Sequence, residues 1–210
     1  PRSTLFPYTT LFRSLSSAYD LSSLSSPSTT PISSQDGDPR GITFNSDGSK
    51  MFLIGDTNDH VYEYTLSTAF DTTTISYASR SLDFSSKEVT PRGLSFNSTG
   101  TKLFITGQDS DDILEYDLST GFDLSTALFN GAYDMSGIVN KPNDIVFNND
   151  GTKAFIGQTG SNKIFSFSLS SPFSLVDITA ENTGDVIDTS SGSNSDSDAD
   201  ASASLTISAI

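Results

Sequence analysis

The chain is predicted to be all-β: a partial β-propeller of about three four-stranded antiparallel blades plus the remnant of a preceding blade. Three observations predict it. First, one stretch occurs in three near-copies, Pro39–Leu66 (PRGITFNSDGSKMFLIGDTNDHVYEYTL), Pro91–Leu118 (PRGLSFNSTGTKLFITGQDSDDILEYDL) and Pro142–Leu169 (PNDIVFNNDGTKAFIGQTGSNKIFSFSL), at offsets of 52 and 51 residues. A fixed period of about 50 residues marks a modular array with blade-sized units. Second, no window sustains 3.6-residue periodicity, whereas period-two apolar alternation recurs in every copy. Third, each copy has two apolar faces, which a single blade cannot bury, so neighbours are required.

Within a copy the elements follow in order. A short apolar strand (Ile42-Thr43-Phe44; Leu94-Ser95-Phe96; Ile145-Val146-Phe147) ends in a polar turn closed by Gly48, Gly100 or Gly151. Glycine there fits a hairpin loop that passes through a left-handed position, where a side chain is costly. The second strand, such as Met51–Ile54, is apolar without alternation, so both of its faces should be covered. After a Gly/Asp/Asn turn the third strand alternates, with Tyr62, Tyr64 and Leu66, then Leu114, Tyr116 and Leu118, then Phe165, Phe167 and Leu169 on one face. Its other face is mixed. A Ser-Thr-x-Phe connection follows, and its Phe70, Phe122 and Phe173 are expected to plug neighbouring blades. A weaker fourth strand is expected near 74–82 and 127–135. Helices are not expected.

At PRGITFNSDGSKMFLIG and HVYEYTLSTAFD the chain resembles β-propeller repeats of the YVTN and lactonase-like kind. It also resembles uncharacterised blade repeats of marine bacterial and phage-related sequences. The resemblance runs from Pro39 to about Leu175. It implies a propeller fold and not an activity, because propellers host many functions. The third copy departs from the pattern, with Asn143-Asp144 in place of Arg-Gly and Ser166 and Ser168 in place of Glu or Asp.

The blades are placed at 39–90, 91–141 and 142–181. Residues 1–14 are read as an artefact, since Thr4–Ser14 (TLFPYTTLFRS) resembles a translated sequencing adapter. Residues 15–38 are read as the remnant of a preceding blade and a loop, because Ala18–Ser22 echoes Glu115–Ser119. Residues 182–210 are a Ser/Asp-rich linker or the start of a truncated region. The whole is expected to be a fragment of a larger ring, since a complete propeller has about four to eight blades.

Eleven basic and 26 acidic residues give a net charge of −15, which excludes a nucleic-acid partner that would need a basic surface. The chain has no cysteine, so disulfides and thiol chemistry are excluded. No apolar run approaches the roughly 18–20 residues of a membrane span. Cysteine-free, Ser/Thr/Asp-rich β repeats suit a bacterial extracellular or cell-surface protein.

Candidate chemistry is sparse. His60 is the one histidine, so neither a Ser-His-Asp triad nor a histidine metal cluster can be assembled. Arg40 and Arg92 follow the prolines that open two blades, and the resemblance to propellers implies a place near the mouth of the central channel. With Asp56 and Asp59 they form a candidate ligand-binding set, and pairing between the arginines and the turn acids explains them equally well. Asp109, Asp111 and Asp112 have the hard oxygen ligands Ca²⁺ prefers, but Asp is also a good turn former. Ca²⁺ at these three residues is the one cofactor the sequence offers. Asp196-Ser197-Asp198-Ala199-Asp200 has Ca²⁺-loop spacing without the closing glutamate, and Asn97-Ser98-Thr99 is a formal glycosylation sequon.

These features lead to a non-enzymatic propeller module of a surface protein, presenting loops to a protein or glycan. The alternatives are a fragment of a lactonase-like propeller hydrolase and a structural spacer in a surface adhesin. A binding site is expected where the copies differ, since the residues they share make blades.

Overall fold

The computed structural model describes residues 30–32, 34–160, 163–175 and the backbone of 179–185. In the first blade β1 (Pro39–Phe44), β2 (Lys50–Gly55), β3 (His60–Leu66) and β4 (Ile75–Asp83) pair in sequence order, all antiparallel. The second blade repeats this with β5 (Pro91–Phe96), β6 (Lys102–Gly107), β7 (Asp112–Leu118) and β8 (Ala127–Asp134). The third has β9 (Pro142–Phe147), β10 (Lys153–Gln158), β11 (Lys163–Ser168) and β12 (Thr179–Asp185). The chain is thus an all-β partial propeller of three four-stranded sheets. Strand β12 runs to Asp185, so the third blade continues past the expected boundary at 181. The adapter-like segment, residues 15–29 of the blade remnant, and the linker from 186 onward lie outside the described residues. The helical content among those residues includes two three-residue 3₁₀ turns, Thr72–Thr74 and Leu124–Thr126. Asp71 and Asp123 cap them by accepting N–H bonds from Thr73 and Ser125.

Burial follows the pattern of the strands. Strands β2 and β6 are buried over five consecutive residues, as their unbroken apolar runs require. Their alternate residues feed opposite seams. Phe52 and Ile54 of β2, with Val61 of β3, pack on Leu103, Ile105 and Tyr116 of the second blade. Phe104 and Ile113 of that blade pack on Ile156, Phe165 and Phe167 of the third. Blades therefore stack face to face, and each fully buried phenylalanine contributes about 1.5–3 kcal/mol relative to exposure.

The connecting phenylalanines are latches as well as plugs. Phe70, Phe122 and Phe173 all have positive φ, 58°, 58° and 55°. Their N–H groups donate to the carbonyls of Gly48, Gly100 and Gly151 at 2.9, 3.0 and 2.8 Å. Those glycines have φ of 71°, and a Cβ on any of them would collide with the phenylalanine ring. Both the backbone and the ring require glycine. The Phe122 ring lies 5.1 Å from Phe96 in its own blade and 6.2 Å from Phe52 of the first.

Candidate functional site

Each inner strand opens with an irregularity. Pro39 pairs with Gly55 and Gly41 with Ile54, which leaves Arg40 as the extra residue of a bulge. Arg92 stands likewise between Pro91 and Gly93. In the third blade Pro142 pairs with Gln158 and Asp144 with Gly157, leaving Asn143 over. A bulge re-aims its side chain. Strands β1, β5 and β9 lie side by side, so these bulges converge. They line one open cleft of about 590 Å³ with Gly41, Ile42, Gly93, Leu94, Gln108, Asp144 and Thr159.

The cleft has two chemically different halves. On the first seam Asp56 accepts a hydrogen bond from Arg40 Nε at 2.9 Å, and Arg40 also pairs with Asp38 at 2.7 Å. The bond to Asp56 is the main cause holding the Arg40 pKa above its ordinary value, against desolvation. Arg92 Nη1 reaches the same Asp56 oxygen from the second blade at 3.9 Å. On the second seam neutral groups take these places. Gln108 Nε2 donates to Asn143 Oδ1 at 3.3 Å and to Thr159 Oγ1 at 2.9 Å.

Asp144 stands where the other copies have Gly41 and Gly93. Its Oδ1 accepts the N–H of Ile145 at 2.9 Å, and among the described residues no basic side chain forms an ion pair with it. Desolvation by the flanking protein raises its pKa, partly opposed by that N–H bond. Gly93 makes room for it, since a Cβ there would collide with the Asp144 carboxylate. Sequence reasoning noted the break in the repeat at this position but did not name Asp144 as a site residue. The break itself was the signal.

The other expected residues serve other partners. Asp59 has φ of 55°, and its carbonyl accepts the Phe84 N–H at 3.1 Å. Its pKa is raised, chiefly by burial. It does not line the cleft. The trio read for Ca²⁺ does not converge. The Asp109 N–H donates to Glu88 Oε1 at 3.2 Å. The Asp111 carboxylate caps the next blade, accepting the Lys141 N–H at 2.6 Å. Desolvation raises the Asp112 pKa. Successive residues leaving a turn point to different sides, so adjacent aspartates need not share a cation. Among the described residues no group of three or more His, Cys, Asp or Glu side chains is placed to hold a metal ion. His60 bonds the Asn58 carbonyl through Nδ1 and stacks on Tyr62 with ring centroids 5.7 Å apart, outside the cleft.

Two pairs of buried carboxylates escaped the sequence reading. Asp36 and Glu88, each three residues before a blade-opening proline, cap the turn after the second strand. Asp36 accepts N–H bonds from Asp38, Thr57 and Asn58 at 2.8, 3.3 and 3.1 Å. Glu88 accepts those of Thr90, Asp109 and Ser110 at 2.7, 3.2 and 3.3 Å. A Cβ on Gly55 or Gly107 would collide with these carboxylates. In the third blade the same two places hold Val139 and Gln158. The second pair, Glu63 and Glu115, is buried in the third strands. Glu63 pairs with Lys50 at 2.8 Å and Arg80 at 3.1 Å and accepts the N–H of Leu124 from the next blade at 3.0 Å.

No family model and no curated protein matches the chain. Solved structures do. A candidate 6-phosphogluconolactonase of Bacteroides fragilis matches with a TM-score of 0.54 at 14% identity, over 70% of this chain and 39% of that one. The periplasmic gluconolactonase of Pseudomonas aeruginosa matches with a TM-score of 0.51 at 14% identity, over 70% and 40%. A functionally unknown protein from Desulfotomaculum acetoxidans matches at 0.51 and 14%, over 70% and 42%. The chain therefore shares the lactonase-like propeller fold and spans about two fifths of these structures. Among the described residues no helix is long and apolar enough to cross a membrane.

Proposed function

We propose that the chain is a non-enzymatic β-propeller module of a bacterial extracellular or cell-surface protein, binding a glycan or a protein loop at the axial cleft. One observation carries this reading. Where the copies depart from their pattern, at Asn143 and Asp144, the new side chains line the cleft. Blade building does not call for them, because the first two blades form with Arg and Gly in those places. The cleft is open, of a volume typical for small-ligand sites, and its lining mixes apolar Ile42 and Leu94 with polar side chains. Its lining residues include no Ser, Cys, Lys or His, the usual nucleophiles and bases of such sites.

The test is a titration of the labelled protein with saccharides and short peptides, followed by amide chemical shifts. Shifts confined to the cleft lining, Asp144, Asn143, Gln108, Thr159, Arg92 and Ile42 among it, support the reading. Shifts elsewhere, or none, count against it. The second reading is a portion of a lactonase-like hydrolase, which the gluconolactonase among the structural neighbours favours by fold alone. Turnover of δ-gluconolactone by this chain, abolished in His60→Ala, would replace the first reading with the second.

A further inference from the structure

Resting on the binding reading above, we infer that the axial cleft selects a ligand with a protonated primary amine, and that this ligand is an amino sugar. The charge balance of the cleft points to the amine. Arg40 pairs with both Asp38 and Asp56, and Arg92 Nη1 lies 3.9 Å from Asp56, so two guanidinium groups face two carboxylates on the first seam. Asp144 is the carboxylate left over, with one hydrogen bond from its own neighbour Ile145. Asp144 is exposed in the cleft wall, so its carboxylate is open to a ligand, and an ammonium group is the chemistry that matches it by a charge-assisted hydrogen bond. An acidic ligand would meet an Arg40 already bonded to two carboxylates, an Arg92 that shares Asp56 at 3.9 Å, and the unmatched negative charge of Asp144. A neutral ligand would cover Asp144 without compensating it. The net charge of −15 further concentrates cations near the surface.

The rest of the lining points to the sugar. Ile42 is 58% exposed and lies beside Leu94 in the cleft, an apolar surface suited to the C–H face of a ring. Gln108, Asn143 and Thr159 form a linked row of neutral hydrogen-bonding groups suited to hydroxyls. A lysine side chain from a protein loop would use Asp144 and the apolar surface of Ile42 and Leu94 and leave that row unused. The volume of about 590 Å³ accommodates a whole hexosamine.

The experiment is calorimetry at pH 7 with D-glucosamine, against D-glucose, N-acetyl-D-glucosamine and Nα-acetyl-L-lysine amide. Glucosamine is expected to bind at least about tenfold more tightly than the uncharged sugars, the usual scale for a charge-assisted hydrogen bond. Asp144→Asn and Asp144→Gly should both abolish that preference. Asp144→Gly restores the residue of the other two blades, and thermal melts confirm that each variant folds. Equal binding of N-acetylglucosamine overturns the amine inference while leaving glycan binding intact. Stronger binding of the lysine amide than of glucosamine overturns the sugar assignment. Unchanged glucosamine affinity in both variants removes Asp144 from the site, and no binding by any probe sinks the underlying reading as well.

Discussion

The seam between the first and second blades and the seam between the second and third have the same apolar interior and different polar closures. Phe52 in one and Phe104 in the other are fully buried, each against a ring of the next blade at 4.7 Å, Phe96 and Phe147. Around Phe52 the charges cross the seam. Lys50 donates to the Phe122 carbonyl at 2.6 Å, Arg80 pairs with Asp123 at 3.3 Å, and Glu63 takes the Leu124 N–H. Around Phe104 they stay at home. Lys102 pairs with Glu115 and, at 3.1 Å, with Asp117, all in the second blade, and among the described residues Glu115 Oε2 is buried without a hydrogen-bond partner. The comparison teaches that stacking depends on shape and apolar area, while the polar groups are free to diverge. The candidate ligand carboxylate, Asp144, sits on the seam that has diverged.

The largest expected effect tests the shared part. Phe52→Ala and Phe104→Ala should each lower stability by about 3–5 kcal/mol in urea unfolding. A clear inequality between them would mean that the seams are not alike inside. Next is the turn cap. Gly107→Gln places a side chain where Glu88 lies and should cost about 1–3 kcal/mol. Adding Glu88→Val reproduces the third blade, and a double-mutant cycle should return about 1–3 kcal/mol of favourable coupling. An additive cycle would break the link drawn between these positions.

The polar difference is tested by Glu63→Gln against Glu115→Gln. The first removes a buried charge with three partners across two blades and should cost about 2 kcal/mol. The second removes a carboxylate with one oxygen already unpartnered and should cost clearly less. Equal losses would erase the contrast. The smallest effect concerns Asp144. Its raised pKa means that it favours the fold while protonated. That contribution is complete below the unfolded value of about 4 and is lost as pH rises through its own higher value. At pH 7 Asp144→Asn should therefore raise Tm slightly, by less than about 2 °C, with the gain fading in acid. A fall in Tm at pH 7 would make Asp144 a structural residue.

Strands and turns were legible because their causes are local. Alternation placed β3 and β7, and the turn glycines marked positions that only a left-handed backbone explains. The inter-blade role of Phe122 was legible from its recurrence in an otherwise polar connection. Glu63 and Glu115 were not, because a glutamate in an alternating strand reads as solvent-facing until its lysine and the neighbouring blade are in place. Asp36 and Glu88 were hidden for a similar reason. Their partners are backbone N–H groups about twenty residues away, and nothing in a turn sequence announces which carboxylate will cap it. The site was half legible. Arg40 and Arg92 were placed at the mouth by their position in the repeat and line the cleft, Asp56 pairs with both, and Asp59 lies outside it. Asp144 needed the converging bulges to turn a departure from pattern into a cleft residue.

The latch formed by Phe122 also bears on how the chain meets a protease. Ser119 and Thr120 are exposed and would invite cleavage. A protease, however, needs its substrate drawn out into an extended segment. Extending this one means releasing the Phe122 N–H from Gly100, its ring from Phe96 and Phe52, and its carbonyl from Lys50. The loop of one blade is thus guarded by a lysine and a ring that belong to its neighbour. The matching loop at Ser67–Ala69 has its latch ring on Phe44 of its own blade, 5.5 Å away. Limited digestion should nick the first connection before the second, so the order of cutting reports which neighbour is in place.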